Sequence, residues 1–464
     1  MSNPISEFNK KIKGLPVAVV GVGVSNMPLI RYLVERGAVV TAHDKRTAEE
    51  MGDAYAELEK LGVSTVLGET YLDKIDESVK MIFKTPGVRY DKPAILEAVE
   101  RGAELTSEME LFFELCPAEI IAVTGSDGKT TTTSLINDML TRGGYKCFLG
   151  GNIGRPLVDE VENIKPDDKV VVELSSFQLH TMKQSAHISV VTNVTPNHLD
   201  WHIDFDEYVD SKRAVFKFQN PGDRAVFNYD NDITRGFGEE SENGVYFSRR
   251  EKLENGYCLN GNVISKFKNG ALEREILNIE DIYIPGMHNV ENYMAAIAAV
   301  DGLVSDDVIR ETAKGFTGVA HRIEFVRELD GVKYYNDSIA SSPARTTAGL
   351  NSFTQKVVLI AGGYDKLIPF DDFGPVVAEH VKKLVLCGLT AEKIEKAVKA
   401  ADNYNAEDLP IYRVSDFKMA IEKAKEIAEP GDVVILSPAC ASFDMFKNFE
   451  ERGNTFKDIV NGLS

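Results

Sequence analysis

Residues 120–134 read IIAVTGSDGKTTTTS and combine an apolar run, a glycine-containing turn and a lysine. The apolar run predicts a buried parallel strand, and a helical pattern follows the turn. Strand, loop, Lys129, Thr130 and helix stand in the order of a phosphate-binding loop, where backbone N–H groups and the helix N-terminus supply partial positive charge. Lys129 adds a full charge, and the Thr130 hydroxyl can bind Mg²⁺. The loop is a shortened variant, because Val123 occupies the position of the first glycine in the general pattern.

Length, charge and cysteine content narrow the class of protein. A chain of 464 residues predicts about two to four domains. The net charge of −20 argues against nucleic acid as the main partner, because phosphate backbones attract basic surfaces. Five scattered cysteines without a CxxC pair are typical of reduced cytosolic thiols. With neither a signal-peptide pattern nor a membrane-spanning run, the sequence predicts a cytoplasmic protein without membrane insertion.

The N-terminal segment predicts a first nucleotide-binding fold. Gly21 and Gly23 follow a short apolar strand and begin a dinucleotide fingerprint, but Asn26 occupies its third glycine position. The next strand ends at Asp44, about twenty residues on, where a ribose-binding acid belongs. The pattern fits either a nicotinamide cofactor or another nucleotide diphosphate. A further strand ends in the Thr-Pro-Gly of residues 85–87, and the first α/β domain extends to about residue 107.

The central segment adds candidate metal ligands to the phosphate-binding loop. Glu173 ends a strand, where an acid can hold Mg²⁺ directly or through water, or can simply be favoured by a helix dipole. His198 follows the next strand and is a ligand candidate. A helix predicted over residues 205–218 carries Lys212, which the pattern alone does not distinguish from a solvated surface lysine. Between residues 224 and 284, the Asn-Gly pairs at 255–256, 260–261 and 269–270 predict a small appended antiparallel sheet.

Strands and amphipathic helices alternate again from about residue 319, which predicts another parallel α/β sheet. The predicted fold is therefore α/β with three domains. A Rossmann-like domain covers residues 1–107, and a P-loop-type ATPase domain with a small appended antiparallel sheet covers residues 108–318. A Rossmann-like C-terminal domain covers residues 319–464.

Taken in order, the motifs resemble those of the Mur ligase family over essentially the whole chain. Several are shared with folylpolyglutamate synthetase, whereas ELSSFQL and SPACASFDMFKNFEERG resemble the D-glutamate-adding branch of the family. One departure is Ile339, where the NDS motif often continues with lysine. The motifs are GVGVSN, TPG, TGSDGKTTT, GGNIG, ELSSFQL, TNVTPNHLD, the SK of YVDSKRAVF, GMHNVEN, AHRIE, NDSIASSP, GGYDK and SPACASFDMFKNFEERG.

The resemblance implies a role for each domain and for individual residues. The first domain is expected to bind the UDP of a muramoyl substrate through Gly23, Val24, Ser25, Asp44, Lys45, Arg46, Thr85, Pro86 and Gly87, with Asn152 and Ser175. The expected ATP contacts are Gly125, Ser126, Asp127, Gly128, Lys129, Thr130, Thr131, Asn152, Asn289, Asn292, Arg322 and Asp337. The implied metal ligands for two Mg²⁺ ions are Thr130, Glu173, His198 and a carbamylated Lys212. D-glutamate is expected at Ser341, Lys366, Ser442 and Phe449. The implied catalytic residues are Lys129, His198, Lys212 and Arg322.

The implied reaction is ATP-dependent amide formation between UDP-N-acetylmuramoyl-L-alanine and D-glutamate, by a monomer in the cytoplasm. Three alternatives remain open at this point. One is a ligase of the same fold with another amino acid, one is a P-loop switch or motor ATPase, and one is a nicotinamide-binding module. Product analysis with different amino acids separates the first, and binding of NAD against UDP separates the last.

Overall fold

The computed structural model describes residues 3–23, 25–198, 201–365 and 368–464, so Val24 and Lys366 of the predicted sites lie outside the described residues. The chain forms two compact units. The first consists of Met1–Ile282 with Met287–Gly315, and the second of Tyr283–Gly286 with Phe316–Ser464. The predicted domain boundaries at residues 107 and 318 remain predictions.

A five-stranded parallel sheet opens the first unit, in the order β3-β2-β1-β4-β5. The strand order reverses between β1 and β4, and open α/β sheets bind ligands at the carboxyl ends of strands beside such a point. The strands are β1 Pro16–Val20, β2 Val39–Asp44, β3 Ser64–Leu67, β4 Met81–Lys84 and β5 Glu104–Thr106. The helices are α1 Pro4–Ile12, α2 Asn26–Glu35, α3 Ala48–Met51, α4 Asp53–Lys60, α5 Pro93–Glu100 and α6 Glu108–Leu115.

The second sheet of this unit has nine strands, in the order β14-β13-β12-β11-β10-β9-β6-β8-β7. Its central strands are buried on both faces, which explains their continuous runs of Val, Ile and Ala. The strands are β6 Glu119–Thr124, β7 Cys147–Gly151, β8 Lys169–Glu173, β9 Ile188–Val191, β10 Arg224–Asn228, β11 Gly244–Ser248, β12 Gly256–Asn260, β13 Val263–Lys268 and β14 Ala271–Asn278. The helices are α7 Lys129–Arg142, α8 Ser176–Leu179, α9 Phe205–Arg213, α10 Asp232–Glu240, α11 Met287–Val300 and α12 Asp306–Gly315. Two 3₁₀ helices are Val158–Asn163 and Ile279–Asp281.

One detail of this region adds to the sequence-based expectation, and one differs from it. The predicted antiparallel strands are β12–β14, and they are joined to the central sheet because β11 pairs with β12 in parallel. Helix α9 ends at Arg213 instead of continuing to residue 218. In its place the N–H groups of residues 215–217 donate to carbonyls of residues 212 and 213 in turns.

The second unit holds a six-stranded sheet in the order β15-β16-β20-β17-β18-β19, in which only the edge strand β15 is antiparallel. Separate apolar clusters cover its two faces, as in a doubly wound fold. The strands are β15 Glu324–Leu329, β16 Val332–Asn336, β17 Val357–Ala361, β18 Val381–Leu386, β19 Ile411–Arg413 and β20 Val433–Leu436. The helices are α13 Pro343–Leu350, α14 Phe373–His380, α15 Ala391–Lys399, α16 Phe417–Ile427 and α17 Phe449–Gly462. Across the described residues, no helix has the length and apolar character that crossing a bilayer requires. The predicted α/β class is confirmed, and each of the three predicted domains contains one of the three sheets.

Candidate active site

The turn between β6 and α7 requires glycine at two positions. Gly125 has φ 145° and Gly128 has φ 78°, both in the region that side chains disfavour. A Cβ on Gly125 would lie 2.0 Å from Thr192 Oγ1, and a Cβ on Gly128 would lie 2.3 Å from Asn292 Oδ1. Both glycines therefore allow neighbouring polar side chains to approach the backbone of the loop.

Residues that follow β9 hold this loop in place. The N–H of Ser126 donates to the Asn193 carbonyl at 2.8 Å, and the N–H of Asp127 donates to Asn193 Oδ1 at 2.9 Å. Ser126 Oγ is hydrogen-bonded to Tyr208 Oη at 2.8 Å. The sequence reasoning did not single out Asn193 or Tyr208. Asn193 lies within the TNVTPNHLD motif, so the motif itself carried a signal for it.

Two lysines converge on the carbonyl oxygen of Gly125. Lys129 Nζ donates to it at 3.0 Å and to the Ser126 carbonyl at 2.9 Å, while Lys212 Nζ donates to the same Gly125 oxygen at 3.1 Å. Lys212 is only 1 % exposed, and its Nζ lies 4.4 Å from the ring centroid of Tyr208. Burial lowers the pKa of Lys212 well below its ordinary value, and the charge of Lys129 lowers it further. The Lys212 amine is therefore biased towards its neutral form.

A hydroxyl, a carboxylate and an amide meet beside the first turn of α7. Thr130 Oγ1 donates to Glu173 Oε2 at 2.7 Å, and Asn152 Nδ2 donates to Glu173 Oε1 at 2.9 Å. Glu173 is 2 % exposed. These are hard oxygen donors of the kind that Mg²⁺ prefers. Thr131, the next residue of the helix, is half-buried.

His198, the third predicted metal ligand, follows β9 with φ 54°. Its ring lies 4.9 Å from the Phe177 ring and 6.4 Å from the Tyr208 ring, between centroids. Tyr208 in turn contacts Ser126, so His198 lies on the same side of the sheet as the glycine loop. Helix α11 supplies the two predicted asparagines: Asn292 Oδ1 accepts from Thr132 Oγ1 at 3.3 Å, and Asn292 Nδ2 donates to Asn289 Oδ1 at 3.1 Å.

Most of the predicted UDP contacts that the structure describes follow the carboxyl ends of β1, β2 and β4, namely Gly23, Ser25, Asp44, Lys45, Arg46 and residues 85–87. Asp44 accepts from the N–H of Val22 at 2.7 Å and from Arg46 Nη2 at 2.9 Å. Burial alone would raise the pKa of Asp44, but the hydrogen bonds from Arg46 and the two backbone N–H groups outweigh it and hold the pKa below its ordinary value. Gly23 and Lys45 are exposed, and Ser25 is the N-cap residue of α2.

The Thr-Pro-Gly segment that follows β4 approaches the first glycine turn. A Cβ on Gly21 would lie 2.4 Å from Thr85 Cγ2, and the N–H of Thr85 donates to the Val20 carbonyl at 2.8 Å. Pro86 is half-buried and Gly87 is exposed. Ser175, predicted for the same substrate, forms a capping box with Gln178 at the start of α8. Its hydroxyl is therefore used within the protein.

In the second unit, the positive charge of Arg322 acts on the carboxyl group of Asp337. Asp337 is buried, accepts from Ser437 Oγ at 2.7 Å and accepts from the N–H of Ile323 at 3.3 Å. Burial raises the pKa of Asp337 to about 7, although the positive charge of Arg322 opposes this rise. Arg322 is exposed and stands between His321 and Ile323, which have φ 64° and φ 45°. The backbone on both sides of the arginine is thus held in an unfavourable conformation.

A buried arginine that the sequence reasoning missed connects the segments carrying the predicted D-glutamate residues. Ser341 follows β16, Ser442 follows β20, and Phe449 begins α17. Arg452, 1 % exposed, donates to Ser338 Oγ at 3.0 Å and to the carbonyls of Cys440 and Ala441 at 3.1 Å each. Burial lowers the pKa of Arg452 to about 10. Arg452 lies within the SPACASFDMFKNFEERG motif, but nothing local marks it as a buried cation.

Three family models match the chain. Residues 16–107 match the Mur ligase MurD-like N-terminal domain, residues 123–300 the Mur ligase middle domain, and residues 321–440 the Mur ligase glutamate ligase domain.

Curated relatives align with the whole chain, and solved structures share its fold. The chain is 56 % identical to the UDP-N-acetylmuramoylalanine--D-glutamate ligase of Acetivibrio thermocellus and 52 % identical to that of Clostridium novyi, with 100 % of each chain covered. UDP-N-acetylmuramate-alanine ligase MurC from Thermotoga maritima matches with a TM-score of 0.57 at 19 % identity, covering 97 % of this chain and 99 % of that one. A pseudomurein peptide ligase type C from Methanothermus fervidus matches with a TM-score of 0.52 at 16 % identity, covering 97 % and 100 %. The resemblance noted in the sequence is therefore confirmed, and the chain belongs to the Mur ligase family.

Proposed function

We propose that this protein is an ATP-dependent ligase that joins D-glutamate to UDP-N-acetylmuramoyl-L-alanine in peptidoglycan synthesis. The observation that carries the proposal is the end-to-end identity with curated relatives of that name, which reaches 56 %. The cluster of Lys129, Thr130 and Glu173 beside the glycine loop supplies the chemistry that such a ligase needs.

The glycine loop, residues 125–128, is the proposed binding site of the ATP phosphates. Its backbone N–H groups and the N-terminus of α7 favour an anion. Lys129 would exchange its two carbonyl partners for phosphate oxygens, which are stronger acceptors because they are charged. The remaining loop residues 125–128, with Thr131, Asn152, Asn289 and Asn292, are proposed to surround the nucleotide. Arg322 and Asp337 are proposed as further ATP residues.

The residues beside Thr130 fit the Mg²⁺ that accompanies ATP in this family. Thr130 and Glu173 offer a hydroxyl and a carboxylate already in hydrogen-bond contact, and Asn152 orients the second carboxylate oxygen. Bound Mg²⁺ supplies positive charge that offsets the repulsion between a carboxylate and a triphosphate. His198 is a further proposed ligand, and we propose two ions in total.

We propose that Lys212 carries a carbamate. A carbamate forms from the neutral amine and CO₂, and burial beside Lys129 disfavours the charged amine. The modification would also place an anion beside the cation of Lys129, and opposite charges attract strongly in a buried site. The carbamate would present oxygen atoms to a hard cation as a carboxylate does.

The two remaining substrates are assigned to the first and third sheets. We propose that UDP lies at the carboxyl ends of β1, β2 and β4, against Gly23, Ser25, Asp44, Lys45, Arg46 and residues 85–87. Val24, Asn152 and Ser175 are proposed as further contacts of the UDP substrate. D-glutamate is proposed at Ser341, Ser442 and Phe449, with Lys366 as the cation for its side-chain carboxylate. Arg452 would keep the segments of Ser341 and Ser442 in register through its hydrogen bonds.

The proposed reaction has two steps. The L-alanyl carboxylate attacks the γ-phosphorus of ATP, the bond to the bridging oxygen breaks, and ADP leaves with an acyl phosphate formed. The amine of D-glutamate then attacks the acyl carbon, phosphate leaves, and the amine proton is lost. Lys129 stabilises charge on the transferring phosphoryl group. Water must be excluded, because it would hydrolyse the acyl phosphate.

The decisive experiment is mass spectrometry of products after incubation with UDP-N-acetylmuramoyl-L-alanine, ATP, Mg²⁺ and one amino acid at a time. We expect a product only with D-glutamate, together with equimolar ADP and phosphate. A product with a different amino acid would assign the enzyme to another branch of the family. Phosphate release without either amide substrate would contradict the ligase assignment. The cytoplasmic location and the monomeric state remain predictions.

A further inference from the structure

Arg89 joins the Thr-Pro-Gly segment of the first sheet to helix α9 of the second. Its Nη2 donates to Glu207 Oε1 at 2.9 Å and its Nη1 donates to Glu207 Oε2 at 3.0 Å, a two-pronged ion pair. The same Nη1 donates to the Trp201 carbonyl at 2.9 Å. The Arg89 and Glu207 side chains are 15 % and 17 % exposed, so solvent screens this pair only partly. Arg89 also pairs with Asp91 beside it.

Trp201, the single tryptophan of the chain, lies beside the Arg89–Glu207 pair. Its indole Nε1 donates to the Gly87 carbonyl at 3.1 Å. Its ring packs edge-on against Phe177, with centroids 4.7 Å apart, and the Arg89 guanidinium lies 5.0 Å from its centroid. Phe177 also contacts His198. Trp201 therefore contacts Gly87 of the proposed UDP segment and also Phe177, which packs against the proposed metal ligand His198.

Glu207 is held by more partners than an exposed helical acid needs. It accepts from the N–H of Ile203 at 2.7 Å and is hydrogen-bonded to His180 Nε2 at 3.1 Å, and His202 Nδ1 lies 3.4 Å away. The hydrogen bond from Arg89 is the main reason that the pKa of Glu207 falls to about 2. His180, His202 and Glu207 place donor atoms within 4.8 Å of one another, as metal ligands would. Because Arg89 already occupies both carboxylate oxygens, the group is a hydrogen-bond network.

Residues of helix α9 contact both the Arg89 side chain and the glycine loop. Glu207 lies in its first turn, Tyr208 is hydrogen-bonded to Ser126, and Lys212 donates to Gly125. A shift of Arg89 would therefore move the helix that holds the loop. We propose that Arg89, Trp201 and Glu207, called here the Arg89 junction, are positioning residues that couple binding of the UDP substrate to binding of Mg²⁺-ATP. The proposal rests on the proposed function for its assignment of residues 85–87 to the UDP substrate.

Calorimetric titration of the whole protein measures this coupling directly. The Kd of UDP-N-acetylmuramoyl-L-alanine is determined alone and with a saturating, non-hydrolysable imido analogue of ATP plus Mg²⁺. We expect the two Kd values to differ by about tenfold, within the usual range of coupling between sites. In Arg89→Gln and Glu207→Gln the ratio should approach 1, because the two-pronged pair is broken. Trp201→Phe, which keeps an aromatic ring but loses the N–H, should reduce the ratio as well.

Arg213→Gln is the matched control on the same helix. Arg213 also forms a two-pronged ion pair, with Nε 2.8 Å from Glu240 Oε2 and Nη2 2.9 Å from Glu240 Oε1, but it faces helix α10. This variant should retain the wild-type ratio. The fluorescence of Trp201 gives a second measurement, and we expect its emission to shift when the UDP substrate binds to wild-type protein.

Three results would overturn the coupling role. The first is equal Kd values for the wild-type protein with and without the ATP analogue. The second is a Kd ratio in folded Arg89→Gln or Glu207→Gln that equals the ratio of the wild type. The third is equal Kd values in Arg213→Gln, which would indicate general loosening of α9. If one charge variant does not fold, as judged by circular dichroism, the other and Trp201→Phe decide. Product formation by wild type is followed separately. A normal product without coupling refutes the junction alone, whereas absence of the product refutes the proposed function.

Discussion

Lys212 offers a test in which the charge of the side chain is the variable. Lys129 Nζ and Lys212 Nζ lie 3.0 and 3.1 Å from the same Gly125 oxygen, so the two nitrogens are no more than about 6 Å apart. Two positive charges at that distance repel each other by ~3 kcal/mol at an effective dielectric constant of about 20. A neutral Lys212 amine avoids this repulsion, and a carbamate on Lys212 would replace it by an attraction of similar size.

Lys212→Arg keeps the cation but cannot form the carbamate, and Lys212→Ala removes the group. We expect kcat to fall by about 10²-fold or more in both variants, the loss that is typical when one group that stabilises transition-state charge is removed. The assay is phosphate release at saturating substrates, with product confirmed by mass spectrometry. Acetate at high concentration should partly restore Lys212→Ala, because it can supply the missing anion. Lys217→Ala, an exposed lysine just beyond the helix, is the control and should retain activity.

Full activity of Lys212→Arg would rule out the carbamate, because position 212 would then need a cation or no group at all. Acetate rescue of Lys129→Ala as well would also count against it, since the lost group there is a cation. Thermal denaturation of each variant separates loss of chemistry from loss of folding.

Three further predictions concern other parts of the chain. Lys129→Ala should lower turnover by about 10²-fold or more, because its charge stabilises the transferring phosphoryl group; near-normal amide synthesis by a folded variant would contradict the ATP site. Lys366→Ala should raise the KM for D-glutamate far more than the KM for the UDP substrate, and equal changes would move Lys366 out of the amino-acid site. Burial raises the pKa of Glu108 to about 7, so the native state loses stability as pH rises from the unfolded pKa through that value. Glu108→Gln should therefore gain stability over wild type between pH 5 and pH 8, by up to ~3 kcal/mol; urea midpoints that differ by the same amount at both pH values would contradict this.

Local sequence patterns were sufficient to predict those elements that are defined by residues adjacent in the chain. The β6–loop–α7 unit was predicted because strand, glycines and Lys129 follow one another directly, and the structure has β6 ending at Thr124 and α7 beginning at Lys129. The parallel α/β character of the sheets followed from alternating strands and helices in the same way. The number of strands in each sheet could not be predicted in this way, because pairing of β11 with β12 depends on partners that local periodicity does not specify.

The family resemblance supplied residue roles that local physics could not. For Lys212, the helical pattern alone is equally consistent with a solvated face, and only the fold reveals that the amine is buried against Gly125. His198 and Glu173 were candidates from their positions at strand ends. Their neighbours were set by the sheet order, which puts β8 and β9 on either side of β6.

The class of fold, the glycine loop and the family of the protein could be predicted from the amino-acid sequence, because these depend on residues adjacent in the chain or on motifs kept in order. The contacts between distant side chains are visible only in the folded chain. Arg89 pairs with Glu207 across 118 residues, and Thr132 meets Asn292 across 160. Arg452 became a buried cation only when α17 packed against the segments that follow β16 and β20. Such contacts depend on how helices and sheets pack, and chain spacing contains no measure of that geometry.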